Sequence, residues 1–243
     1  MPLPAPSALS GKWQVAAIWR WLGLLALTSV ILLWLACLLA LRVPVTFITR
    51  NIALPPAVEA LHGSARAGRA VLQGGTVLLW ESGFHLLPLP HLRSDLTLEG
   101  PGTRLTGWAA AGLSGFQLHD IDGRAGPALA QLVPGAWACD MTARVSRVAF
   151  SWGWRSTASS GEISLPSGTC TRGTRETTLP PLTLALGTQG RTAVARLSAP
   201  EEVELAQATV SRDRQIGVTI KPAAADVFPV LPRGGPISVE IPF

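Results

Sequence analysis

The 243-residue chain carries 20 Lys and Arg against 15 Asp and Glu, a net charge of +5, and has nine tryptophans, no tyrosine and three cysteines. From residue 43 onward the balance is 16 Arg and 1 Lys against 15 acidic residues, 17 minus 15 or +2, and no basic cluster is interleaved with aromatics. That distribution argues against DNA or RNA as a partner, because binding a phosphate backbone needs a concentrated basic surface.

Residues 1–11 are rich in Pro and Ser without periodicity and read as an unstructured tail. The run from Trp21 to Leu41, WLGLLALTSVILLWLACLLAL, contains no charge and lies between Arg20 and Arg42. A helix rises about 1.5 Å per residue, so this run reaches roughly 30 Å, the thickness of a bilayer's hydrocarbon core. A cleaved signal peptide has an apolar core of only about 7 to 15 residues and a small-residue cleavage site. Here bulky Leu38, Leu39 and Leu41 follow the one small pair, Ala36 and Cys37, and Trp34 sits where a lipid-attachment signal wants an aliphatic residue. A buried core helix would show a polar stripe, which Thr28 and Ser29 alone do not make. The run is therefore predicted to be a single transmembrane helix, with Trp19, Arg20, Trp21 and Arg42 flanking it at headgroup level.

Flanking charge tips the orientation only slightly, but about two hundred residues follow the span and long domains translocate largely regardless of charge. The reading is an inner-membrane, single-pass protein: cytoplasmic tail 1–20, helix 21–41, linker 42–57, and a periplasmic β-rich domain 58–243. The linker is read as stiff and extended, because Pro55-Pro56 disfavours helix.

From Val58 the pattern becomes short β-like runs broken by glycine. Val71 to Gln73 and Val77 to Trp80 flank Gly74-Gly75, a dipeptide suited to the positive φ of a tight turn. Leu96 to Glu99 leads into Gly100-Pro101-Gly102; Leu105 and Trp108 alternate on one face; Leu113 to Ile121 runs toward Asp122-Gly123, read as another turn. Two stretches look helical, Pro127 to Val133 and Pro222 to Phe228, each starting with proline and each between apparent strands, a weak internal echo. Further strands are predicted over Ala143 to Trp152, Gly161 to Leu165, Leu182 to Leu186, Thr192 to Leu197, Val203 to Val210 and Ile216 to Ile220. The chain ends with Ile237, Val239, Ile241 and Phe243 on one face; a terminal phenylalanine on such a strand resembles an outer-membrane barrel signal, but barrel-length alternating strands are lacking and an ordinary edge or closing strand is the reading. The fold class is mainly β: one membrane helix followed by a curled antiparallel sheet, sandwich or half-barrel, with one or two short helices.

Outside the span only Cys139 and Cys170 occur, too isolated for a zinc site. In an oxidising compartment they are predicted to form a disulfide worth about 3 to 4 kcal/mol in the chain-entropy model; two buried free thiols are the alternative. His62, His85, His91 and His119 show no paired metal spacing, Gly112-Leu113-Ser114-Gly115 is one residue short of a nucleophile elbow, and Asp120-Ile121-Asp122-Gly123 lacks the rest of a calcium loop. His119 with Asp120 and Asp122 is the one candidate for a charge-paired histidine, and an enzyme would require them to converge in a cleft. No catalytic residue, cofactor, metal or small-molecule substrate is predicted. Trp80, Trp108, Trp137, Trp152 and Trp154 are expected mostly to pack in the core.

His62-Gly63-Ser64-Ala65, Gly68-Arg69-Ala70, Leu72, Gly74-Gly75 and Trp80, followed by Asp95-Leu96-Thr97-Leu98 and Gly100, resemble the opening of the external domain of the type II secretion system protein N (GspN) family. Leu118 to Gly123, the Pro127 to Pro134 stretch and the Cys139 to Cys170 section resemble a divergent branch of it, so that the likeness covers most of 58–190. The resemblance implies a non-catalytic inner-membrane component of the apparatus that exports folded proteins from the periplasm, with other secretion components and membrane lipid as partners. The alternative is a membrane-anchored lipid-handling protein with a β-groove, like those of lipopolysaccharide export or the AsmA-like proteins. A continuous apolar trough favours lipid; a filled core with apolar edges favours scaffolding.

Overall fold

A computed structural model describes residues 25, 27–32, 35, 55–85, 90–132, 138–228, 231–232 and 234–242. The chain divides into two units, Met1–Val43 and Pro44–Phe243. In the first, the described residues are helical and exposed, Leu25, Val30 and Ile31 among them. Most of the predicted span, and its flanking Trp19, Arg20, Trp21 and Arg42, lie outside the described residues. Among the described residues no helix is long and apolar enough to cross a membrane.

The second unit is mainly β. Its strands are β1 (Val58–Gly63), β2 (Ala67–Leu72), β3 (Thr76–His85), β4 (His91–Gly100), β5 (Thr103–Gly112), β6 (Gly115–Ala125), β7 (Ala138–Cys139), β8 (Ala143–Gly153), β9 (Thr157–Leu165), β10 (Gly168–Arg172), β11 (Arg175–Leu179), β12 (Leu182–Gln189), β13 (Thr192–Ser198), β14 (Glu204–Val210), β15 (Gln215–Ile220) and β16 (Ile237–Pro242). Thirteen form one antiparallel sheet in nearly sequential order, β1-β2-β3-β4-β5-β6-β8-β9-β12-β13-β14-β15-β16; the other three pair as β11-β10-β7. Hairpin follows hairpin, so each strand finds its partner locally and the large sheet keeps two edges, β1 and β16.

Local chemistry explains the joints. Gly74 and Gly75 both take positive φ, 78° and 70°, in the 3₁₀ turn Gln73–Gly75 that joins β2 to β3. Pro55 opens a turn closed by the Val58 N–H on its carbonyl, which delivers the chain into β1. Asp122-Gly123 is not a turn: both residues lie inside β6, where the register shifts against β8 and Gly123 takes φ 134°. An Asp-Gly pair also suits a β-bulge, because the same positive φ is needed there. The two helix-like stretches are a 3₁₀ turn, Pro127–Leu132, and one short helix, α1 (Ala224–Val227). Each connects antiparallel neighbours, β6 to β8 and β15 to β16.

The compact core is small and sits beside α1. Leu182, Leu205 and Ala224 are buried there, with Leu165, Leu197, Ile220, Val227 and Phe228 packed around them. The start of β9 is tied to its neighbour β12 and beyond it: Ser159 Oγ donates to the Gly187 carbonyl of β12 and the Val194 carbonyl of β13, and Thr157 Oγ1 donates to the Arg191 and Val210 carbonyls while accepting the Ala193 N–H. In the small sheet Cys139 and Cys170 are directly opposed and disulfide-bonded, with Cα atoms 4.1 Å apart.

Candidate functional site: a charge-free sheet face

Directly opposed residues of an antiparallel pair project to the same side of a sheet, so the pairing registers sort every strand residue onto one of two faces. One row crosses all thirteen strands: Leu61, Ala70, Leu78, Leu98, Leu105, Gly123, Val145, Ile163, Leu184, Leu197, Ala206, Ile220 and Ile237. A parallel row runs Phe84, Leu92, Ala111, Phe116, Trp152 and Thr157. None of the paired positions on this side is charged. One residue over, on the other side, the adjacent row reads Val71, Val77, Glu99, Arg104, Arg124, Arg144, Ser164, Thr183 and Ser198. The sheet is therefore amphipathic across its whole width.

Coverage of the apolar side is incomplete. It is filled where α1 meets β12 to β15, but Leu61, Leu78, Leu96, Leu98, Leu118 and Phe150 are only half-buried, and Phe84, Phe116, Val239 and Ile241 are exposed, at 52, 38, 48 and 51%. Some polar atoms on this side are paired, Ser82 Oγ with Ser94 Oγ at 2.7 Å and Trp80 Nε1 donating to the Ser64 carbonyl, whereas the fully buried Thr76 Oγ1 has no hydrogen-bond partner among the described residues. Core packing, expected for most of the tryptophans, is not what they do. Trp80, Trp108 and Trp152 are half-buried on the sheet faces, Trp154 is 78% exposed, and Trp137 lies outside the described residues. A sheet packed on one small corner leaves its aromatics nowhere deeper to go.

The opposite face holds the polar chemistry. Trp108 is stacked on His119, with centroids 4.6 Å apart, lies 4.3 Å from the Arg93 guanidinium, and donates its indole N–H to Asp120 Oδ2. Asp120 sits at φ 52° and Asp122 Oδ1 accepts the backbone N–H of Arg147, itself at φ 46°. The bulged register of β6 thus spends both aspartates on Trp108 and Arg147 rather than on His119. His85 and His91 stack at 5.3 Å on β3 and β4, while His62, opposite Arg69, is exposed. Among the described residues no three His, Cys, Asp or Glu side chains come together as a metal site. A cavity of about 630 Å³ lies at the end of the sheet between the β5–β6 and β8–β9 turns, lined by Leu113, Gln117, Trp152 and Trp154; another of about 400 Å³ lies on the polar face beside Arg93 and Trp108.

The residues missed from sequence are the aligned Arg104, Arg124 and Arg144 and the Arg93–Trp108–His119 stack. Glu99 and Arg104 flank a recognisable turn, so one pair was visible; the others meet only through strand pairings separated by turns, bulges and an inserted sheet. Comparison with family models, curated proteins and solved structures finds no match to this chain.

Proposed function

We propose that this chain is a non-catalytic, single-pass inner-membrane component of a type II secretion apparatus, of the GspN type, anchored by residues 21–41 with residues 58–243 in the periplasm. It works by contact, and the working surface is the charge-free face of the large sheet. The observation that carries the reading is the incomplete covering of that face outside the part filled beside α1, with Phe84, Phe116, Val239 and Ile241 open to a partner. Monomeric domains rarely leave large contiguous apolar patches uncovered, and such patches mark interaction sites. The bonds of Thr157 and Ser159 to strands beyond their paired neighbour support a sheet that turns over itself at β9, the half-barrel form of the fold.

Two experiments test it. A C-terminal alkaline phosphatase fusion is expected to be active, and an inactive fusion overturns the orientation. Clean deletion is expected to leave an exported substrate in the periplasm; normal export in the deletion strain overturns the secretion role. A second reading, lipid handling, is favoured by one specific feature: no charge interrupts the apolar rows from β1 to β16. Photo-crosslinkers placed at Phe84 and Phe116 separate the two, since capture of secretion proteins supports the first reading and capture of phospholipid or lipopolysaccharide the second.

A further inference from the structure

Arg104 on β5, Arg124 on β6 and Arg144 on β8 stand directly opposite one another on the polar face, and all three are exposed. Strands lie about 4.8 Å apart, so the three side chains leave the sheet along a line of roughly 10 Å. Like charges directly opposed repel, and the nearby carboxylates do not cancel them. Glu99 addresses only Arg104, at 3.9 Å with both side chains largely exposed; Asp122 is taken by the Arg147 N–H; Glu162 faces Ser146, two residues along from the pair Arg144 and Ser164. Among the described residues no carboxylate lies within ion-pair distance of Arg124 or Arg144. The ladder lines none of the cavities above, so what it offers is a flat rank of donors rather than an enclosed site.

The same row continues through Glu99, Val77 and Val71 to Ala60, the third residue of β1. The chain therefore comes into the sheet, from the segment that precedes residue 58, at the end where the ladder stands. We propose that the Arg104–Arg124–Arg144 ladder binds anionic phospholipid headgroups. The proposal rests on the membrane-anchored reading above. Guanidinium forks match phosphate oxygens bidentately, and an exposed rank presents them to several headgroups of a surface at once. Anionic lipid relieves the repulsion that the ladder otherwise carries, and basic residues close to such a surface are drawn to it.

The test uses the full chain, extracted from membranes and equilibrated with an equimolar mixture of phosphatidylglycerol and phosphatidylcholine, with retained lipids counted by native mass spectrometry. Wild type is expected to retain phosphatidylglycerol in excess, and R124E/R144E to lose that preference by about tenfold or more, given what each arginine contributes near an anionic surface. R69E/R175E carries the same charge change at exposed positions away from the ladder and is expected to keep it. R124Q/R144Q, which removes the repulsion without adding charge, is expected to keep the thermal stability of wild type and still lose the preference. Equal retention in wild type and R124E/R144E overturns the proposal, as does loss in R69E/R175E to the same extent. An acidic protein segment as the true partner would appear as a salt-sensitive protein lost from R124E/R144E with lipid ratios unchanged, and that too overturns it. Membrane fractionation in parallel separates the premises: a chain recovered soluble without detergent removes the anchor, whereas a membrane-bound chain with unaltered lipid ratios removes only the ladder.

Discussion

Gly68 shows how single positions shape the apolar face. It lies opposite Trp80, and a Cβ at this position would overlap the Trp80 ring and approach the His62 carbonyl. The missing side chain is the space that the indole occupies while its N–H reaches the Ser64 carbonyl at 3.0 Å. Forcing a methyl into a packed site costs about 1 to 3 kcal/mol, or roughly 3 to 10 °C for a domain of this size. G68A is expected to lower the melting temperature by that amount and to change Trp80 emission; an unchanged melting curve would show that the ring is free to move away. Thr157 makes the opposite case, a polar group in a dry place. It is fully buried, its hydroxyl donates to Val210 and Arg191, and it accepts the Ala193 N–H at 3.0 Å. T157V keeps the shape and removes the side-chain bonds to the Val210 carbonyl and the Ala193 N–H, while the Arg191 carbonyl keeps the backbone N–H of residue 157, so a loss of about 1 to 3 kcal/mol is expected in chemical denaturation. No loss would mean that water reaches the site.

Among the elements, the strands that alternate cleanly were the ones legible in the sequence. Ile216, Val218 and Ile220, and later Ile237, Val239 and Ile241, alternate without interruption and lie in β15 and β16, paired residue for residue. Where a bulge shifts the register the pattern breaks, as in β6, where Asp120 adds a residue at φ 52° and Asp122-Gly123 imitates a turn. The faces themselves were not legible as a whole, since which row of one strand meets which row of the next depends on turn lengths and bulges. Strands β10 and β11 were missed because Gly168 to Leu179 is polar and threonine-rich, with no apolar face to bury. That composition makes a prediction about the small sheet. A three-stranded sheet whose strand β7 has two residues has little to hold it apart from the Cys139–Cys170 bond, a link between residues 31 apart in sequence. The cross-link contributes about 3 to 4 kcal/mol in the chain-entropy model. Reduction is expected to abolish hydrogen-exchange protection in 168–179 while β3 to β6 keep theirs. Simultaneous loss across the large sheet would show that the two unfold as one body.

At the scale of the whole molecule the question is what sets the stability of a sheet this wide with so small a core. Sequential hairpins let each strand be stabilised by its neighbours, much as stacked repeats are, so the sheet needs no single central core to persist. The same economy leaves apolar surface uncovered, and an uncovered apolar surface is available to anything that fits it. If contact through this face is the molecule's work, a charge placed there should separate folding from function. Phe84 and Val239 are suitable sites, because both are about half-exposed in the free domain and their replacement opens no cavity. F84E/V239E is expected to change the melting temperature by no more than a few degrees, as surface substitutions generally shift stability by about 0.5 kcal/mol or less each. It is also expected to lower binding of an environment-sensitive apolar dye severalfold and to reproduce the deletion phenotype. Full activity with reduced dye binding would move the working surface to the polar face, and a collapse of the fold would mean that Phe84 and Val239 are already covered from within the chain.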